Sequence, residues 1–412
     1  MIWVNPVIPI IPATIALTGS VVLSLIFLMM INPKKKLATI NTMKLFYLLL
    51  ISFVLRLLSL GYPSVYVFDE VYHVPAIRAI SQNSSDAYNP FAKAPEPNTA
   101  YDWLHPPLAK LFQAGSVKVF GDNSFGWRFP SAIFGTLSIA GVYYLAWVLF
   151  KSQCLSLTAA LIFSLDNLQF TMSRIAMNDI FVTTWILFAL AFFFKKNYFL
   201  SAIFTGLALA TKHSAVFLYP IFFLFGWRYF YYYLFIPPLI YLFSYLQMFL
   251  LGGSFQGFIN LHQQIYWYQT SLKATHDYQS TAWQWPLLIR PVWFYVQYYK
   301  DSVANIYNLG NPAVFWGGLV ALVFNRQLFL LASYLLLFSP LIFSPRILFL
   351  HHYLPALAVL AVILSRQIYQ SKYLPYFLIL VCFCFIWFFP LNTALAIKTA
   401  WLKYWFWLPS WK

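Results

Sequence analysis

Asp69 and Glu70 are two of only ten acidic residues in a chain of 412, and they follow an apolar run directly, in Tyr66-Val-Phe-Asp-Glu-Val-Tyr-His73. A carboxylate pair beside a bilayer is costly unless it is paired or functional. Adjacent like charges also push one pKa upward, which suits a proton acceptor near neutral pH. Chain neighbours need not face the same way, so one carboxylate is expected to act on substrate and the other to orient or bind it. A juxtamembrane hydration or capping site is the plain alternative.

Basic residues accompany the pair. Arg128 heads an apolar run in Gly126-Trp-Arg-Phe-Pro-Ser131, and Arg174 lies between two such runs. Guanidinium groups near an outer interface suit bidentate phosphate recognition, with snorkelling to lipid headgroups as the alternative. Asn178 or Asp179 can cap the helix that follows. Lys212 and His213 separate two apolar stretches, where a buried lysine needs a counter-charge or an anionic ligand such as phosphate. His105 opens a Pro-Pro turn and either fixes the loop or positions a polar substrate group. His351 and His352 form a second pair near Arg346. Adjacent histidines lack the helical spacing of a zinc motif, so no catalytic metal site is expected.

His276, Asp277, Trp283 and Trp285 place an imidazole, an acid and a rigid aromatic pair in one short stretch. Sugars pack their CH faces on aromatic rings and offer hydroxyls to such polar groups, so the composition fits a saccharide or lipid-headgroup site. His262 belongs to a loop helix. Phosphate-loop, nucleophile-elbow and Cys-x-x-Cys motifs do not occur.

These groups need elements to hold them. The chain is 61% hydrophobic, 21% aromatic and 9% charged, too little polarity to cover a soluble globule of this size. It reads as an all-α polytopic integral membrane protein. At roughly 20 residues per crossing, about twelve spans fall near 7–31, 43–60, 126–150, 154–171, 176–194, 198–211, 213–226, 232–251, 311–325, 328–343, 352–366 and 373–390. The first is read as a retained helix because it lacks a basic leader and a small-residue cleavage site. Alternation puts Lys34, Lys35, Lys36, Lys44, Lys151, Lys195, Lys196, Arg228, Arg326, Arg366 and Lys372 on one side, the cytoplasm by the positive-inside rule. All ten acids fall outside or near outer helix ends. Two external loops result, 61–125 and 252–310. The chain is thus divided into an N-terminal transmembrane catalytic module over 1–251, the second loop over 252–310, and C-terminal transmembrane helices with a tail over 311–412. The net charge of +16 follows from this topology, and its scattered bases form no nucleic-acid stripe. Cys154, Cys382 and Cys384 read as small buried hydrophobes.

In sequence, the segments Phe68-Asp-Glu70, His105-Pro-Pro-Leu-Ala-Lys110, the Arg128 segment, Leu165-Asp-Asn167 with Ser173-Arg174, Thr211-Lys-His-Ser214, Thr275-His-Asp-Tyr-Gln-Ser280 through Leu287, Asn311-Pro-Ala-Val314 and His351-His-Tyr-Leu-Pro-Ala356 resemble the protein O-mannosyltransferase family. They span 65–365 in the family's order. The resemblance implies a C-type glycosyltransferase fold and an inverting transfer of mannose from a polyprenyl phosphate carrier to a Ser/Thr hydroxyl of a protein. It implies Asp69 as general base, Glu70 as its substrate-orienting partner and Arg128 as the carrier's phosphate contact, with Arg174 and Lys212 as helpers. No metal or other cofactor is required. The implied partners are the lipid-linked sugar, the acceptor and membrane lipids. The implied place is a bacterial plasma membrane with the site facing outward.

Two departures matter. The loop over 252–310 is too short for the soluble domain that eukaryotic members insert there, and the acid that usually precedes His-Pro-Pro is replaced by Trp103-Leu104, with Asp102 near. The compact bacterial form leaves a glycolipid acceptor, such as lipid A, as a second enzymatic reading. A secondary transporter is the alternative of another class. It would place ionisable groups near the midplane in two similar halves, whereas here they cluster externally.

Overall fold

The computed structural model describes residues 38–412 apart from Leu272. The expected span over 7–31 and the cluster Lys34, Lys35 and Lys36 lie outside the described residues. Along the chain run α1 (Ala38–Leu57), α2 (Glu70–Ser81), α3 (Leu108–Phe120), α4 (Ser124–Phe150), α5 (Gln153–Ser164), α6 (Asn167–Met172), α7 (Asp179–Phe194), α8 (Tyr198–Leu209), α9 (Leu218–Gly226), α10 (Tyr231–Ser244), α11 (Leu246–Leu250) and α12 (Phe255–Ser271). The second half continues with β1 (Val292–Tyr298), β2 (Ser302–Asn308), α13 (Pro312–Val323), α14 (Leu328–Phe338), α15 (Leu354–Ile368), α16 (Leu374–Asn392) and β3 (Ala396–Lys398).

The architecture is largely helical. Among the described residues, two helices are long and apolar enough to cross a membrane by length and composition, α4 and α16. Helix α1 is also apolar and 20 residues long; the remaining apolar helices are shorter, because polar residues interrupt the runs. The expected span 154–171 is broken after Ser164, where Asp166 accepts from the backbone N–H groups of Leu168 (2.9 Å) and Gln169 (3.1 Å) and so starts α6. Its second carboxylate oxygen accepts from the Asn311 N–H at 3.0 Å. Asn311 in turn caps α13 and donates to the carbonyls of Leu165 and Val381, each at 2.9 Å. A carboxylate in an apolar run is thus satisfied by backbone donors. The expected span 213–226 opens as a 3-10 turn over His213–Phe217 before α9 begins.

Helix α15 is the centre of the bundle. Every residue from Leu354 through Ser365 is buried, as a helix apolar on all sides must be. It packs on α5, α13, α14 and α7, while α4 packs on α7, α5, α3 and α1. At Gly135 a Cβ would stand 2.1 Å from that of Ser173, so the close approach of α4 to the turn after α6 needs glycine.

The second loop is not without structure. It contains α12 and two strands of an antiparallel sheet of order β1-β2-β3, in which β2 is mostly buried. The third strand comes from the C-terminal tail, with Ser302 opposite Lys398 and Val303 opposite Ile397. Trp411 Nε1 donates to the Leu288 carbonyl at 2.5 Å and fastens the tail further.

Candidate active site

The backbone enters α2 through Phe68, which has φ +51. An aromatic residue in the left-handed region is strained and persists only where its surroundings hold it. Here the ring stacks on Phe294 of β1 at 4.4 Å and meets Phe349 edge-on at 5.3 Å. Asp69 follows at the N-cap of α2, yet its side chain makes no capping bond. Its carboxylate instead lines a cavity of about 550 Å³ and has no hydrogen-bond partner among the described residues. Burial raises its pKa to about 6. His73 and Lys212 pull it down, while Asp179 and Asp102 push it up. The raised value expected from Glu70 as a like-charged neighbour therefore has another cause.

Glu70 points the opposite way and is fully buried. It takes Arg128 Nε at 2.8 Å and Nη2 at 2.7 Å in a bidentate pair. It also accepts from the backbone N–H groups of Val67 and Ala176, both at 2.9 Å. The remaining Arg128 donors go to the carbonyls of Leu60, Pro63 and Val65. A guanidinium has five N–H donors, and all are used. This geometry corrects two expectations: Arg128 has no donor left for a phosphate, and Glu70 has no oxygen facing the cavity. Together they bolt the first loop to the head of α4 and to the α6–α7 connection.

Opposite Asp69, Lys212 Nζ lies 2.7 Å from Asp179 Oδ1, and both line the cavity. The lysine's expected need for a counter-charge is met by an acid expected only as a cap. His213 Nε2 is hydrogen-bonded to Tyr241 Oη at 2.9 Å, and that hydroxyl also bonds His262 Nε2 at 2.7 Å. His105 lines the cavity with its Nδ1 donating to Asp102 Oδ1 at 2.9 Å. On the other oxygen of Asp102 stand His73 Nδ1 at 2.9 Å and Lys110 Nζ at 3.0 Å. Burial opposes ionisation of Asp102, but His105, Lys110 and His73 outweigh it and hold the carboxyl well below its usual range. His73, Asp102 and His105 bring ligand atoms within 4.8 Å of one another, as a metal site would. With Lys110 already on the shared carboxylate, Asp102 is hydrogen-bonded to His105 and Lys110 and has His73 at ion-pair distance, a charge-balanced clamp that suits the trio better than a cation does.

His351 and His352 both line the cavity, ring on ring at 4.6 Å. Burial, reinforced by Lys212, pushes His351 well down, so its imidazole is neutral. The remaining expected site residues lie elsewhere. Arg174 donates to the carbonyls of Arg56 (2.6 Å), Leu55 and Ser59, closing the C-terminal end of α1. His276 and Asp277 are exposed and outside the cavity wall, with the His276 ring edge-on to Phe349 at 5.1 Å. Trp283 is exposed. Trp285 is buried, donates to Ser280 Oγ at 2.9 Å and stacks on His352 at 6.0 Å, bracing the site from behind.

Several cavity residues carried no expectation of a role there: His73, Asn178, Gln269 and Arg346. The signal for His73 was its place one helical turn after Asp69. Arg346 donates to Gln269 Oε1 from Nη1, leaves Nε without a partner, and lies over the Tyr268 ring at 5.3 Å. Only the long-range fold brings it near Asp69.

Two family models match in chain order: "Dolichyl-phosphate-mannose-protein mannosyltransferase" over residues 104–251 and "C-terminal four TMM region of protein-O-mannosyltransferase" over 254–326. The chain belongs to the protein O-mannosyltransferase family. Among relatives of this family member, a Corynebacterium glutamicum polyprenol-phosphate-mannose–protein mannosyltransferase is 36% identical over 121 residues, 29% of this chain and 23% of the relative. A Mycolicibacterium smegmatis protein of the same name is 30% identical over 142 residues, 34% of this chain and 25% of the relative. The matched segments thus span about a quarter of the length of these curated relatives. The fold is that of a chain in the Saccharomyces cerevisiae protein O-mannosyltransferase Pmt1-Pmt2 complex bound to the sugar donor, with TM-score 0.75 at 14% identity, covering 97% of this chain and 94% of that one. ArnT from Cupriavidus metallidurans bound to undecaprenyl phosphate is also similar, with TM-score 0.58 at 13% identity over 82% of this chain and 61% of that one. This member of the family is accordingly a membrane-associated protein with a largely helical fold.

Proposed function

We propose that the chain is an inverting glycosyltransferase that moves mannose from a polyprenyl phosphate carrier to a Ser/Thr hydroxyl of a protein. The single observation that carries the mechanism is Asp69: a cavity carboxylate with no hydrogen-bond partner among the described residues and a pKa raised to about 6. Asp179, the other acid in the wall, is neutralised by Lys212. Ionised Asp69 takes the acceptor's hydroxyl proton as its oxygen attacks the anomeric carbon. The bond to the carrier's phosphate breaks with inversion, and the phosphate leaves with the electron pair. Charge develops on that leaving group, so cations already in place stabilise the transition state. Lys212 and the unpartnered Nε of Arg346 supply them, in place of Arg128.

The same reading puts about twelve spans across the membrane in the C-type arrangement, several of them shortened by breaks such as that at Asp166. It places the cavity on the outer face of a bacterial plasma membrane. It also keeps the division into 1–251, 252–310 and 311–412, which is supported by the gap between the two family matches at 251 and 254. The test is transfer from purified polyprenyl phosphate mannose to Ser/Thr peptides in liposomes. Peptide mannosylation that disappears in Asp69→Asn is expected. Modification of a glycolipid while every peptide stays unmodified would move the acceptor to the lipid class.

A further inference from the structure

Asn178 is the last residue of the connection between α6 and α7 and lines the same cavity wall as Asp69. Its side chain is 1% exposed, and neither Oδ1 nor Nδ2 has a hydrogen-bond partner among the described residues. Position and residue type predict an N-cap, but the backbone sits at φ −82, ψ −19, and the amide makes no capping bond to α7. Buried amides are nearly always satisfied within the fold; among the described residues Gln113, Asn178 and Asn308 have both ends unmet, and of these three Asn178 belongs to the cavity wall, where a ligand can meet them.

The connection cannot swing to satisfy it. Ala176 N–H is tied to Glu70 at 2.9 Å, the Ile175 carbonyl accepts from Ser131 Oγ at 2.7 Å, and the next residue, Asp179, is held by Lys212 at 2.7 Å. The amide is therefore held on a rigid frame, next in the chain to the ion-paired Asp179 and in a cavity wall that also contains His73 and His105. An acceptor hydroxyl needs one partner, and Asp69 supplies it. An amide with adjacent donor and acceptor matches two neighbouring hydroxyls on a sugar ring, one receiving the Nδ2 hydrogen and the other donating to Oδ1.

Resting on the function proposed above, we propose that Asn178 is the specificity residue that reads a vicinal diol of the transferred sugar. A site built to bond a substrate hydroxyl discriminates strongly against the analogue lacking it, because its own buried groups are then left unpaired.

The experiment compares wild type, Asn178→Ala and the size-matched Asn178→Leu with polyprenyl phosphate mannose and its 2-, 3- and 4-deoxy counterparts, reading kcat/KM to one peptide and the melting midpoint in detergent. In wild type, two neighbouring deoxy positions are expected to lower kcat/KM by roughly 10- to 100-fold. In both variants the mannosyl donor should fall to that level, and removing those same hydroxyls should then change little. The midpoint should hold or rise, since no internal hydrogen bond is lost. Deoxy penalties of unchanged size in both variants overturn the proposal. So does an earlier melting with equal loss of every donor, which is the mark of a structural role. A wild type inert toward every polyprenyl phosphate sugar overturns the functional reading itself, and this one with it. Active wild type with unaltered variants overturns this one alone.

Discussion

The clamp around Glu70 and Arg128 and the cavity wall around Asp69 use the same residue types, and their carboxylates are adjacent in the chain. In the clamp every strong donor meets an acceptor: Arg128 spends all its N–H groups on Glu70 and three carbonyls. In the wall the matching is incomplete. Asp69, both ends of Asn178 and Arg346 Nε have no partner among the described residues. A closed set of hydrogen bonds holds a structure together, whereas an open set on a rigid frame is available to a ligand. Residue type alone does not distinguish the two.

The sharpest way to break the comparison is to remove the base. Asp69→Asn keeps the shape and is expected to lower kcat by about 10²- to 10⁴-fold with little change in melting. Unchanged transfer would return the role to another group. The pH profile tests the same atom in the wild type. Asp69 acts when ionised, and with its pKa raised to about 6, kcat/KM should fall by about tenfold per unit below that pH and level off above it. A profile flat down to pH 4 would contradict an unpartnered, half-buried carboxylate in the cavity wall.

Arg128→Ala probes the closed set. It leaves Glu70 charged and unpaired in the interior and should destabilise the protein by about 3–5 kcal/mol in detergent unfolding. Wild-type melting with only donor KM raised would instead place Arg128 at the phosphate. Arg346→Ala should do what Arg128 was first expected to do, raising KM for the lipid-linked donor by about 10- to 100-fold while melting stays close to wild type. At the small end, exposed Trp283→Ala should keep kcat/KM within about twofold. A larger loss would bring the second loop's exposed aromatics into the site.

Legibility followed the range of the interaction. Asp69, His105, Lys212 and His351 stood out in the sequence because a charged or titratable group beside an apolar run has few innocent explanations, and all four line the cavity. Asp166 with Asn311 was visible as part of the family's pattern, but its purpose was not. The two residues are bonded to each other and join α6 to α13, which no local pattern announces. The broken helix at Asp166 and the sheet closed by the C-terminal tail were missed for a related reason. Hydropathy reports how apolar a stretch is and says nothing about which distant carbonyl or N–H will satisfy a polar atom inside it.

The sequence by itself determined the membrane association of this protein, its family and the identity of the residue proposed as base, because composition, motif order and a rare acidic pair are properties of the chain. Only the tertiary structure decided that Asp69 and Glu70 face opposite ways, that Arg128 is consumed internally, and that Asn178 and Arg346 share a cavity wall with Asp69. Those outcomes depend on which groups, far apart in sequence, come within hydrogen-bonding distance once the helices pack.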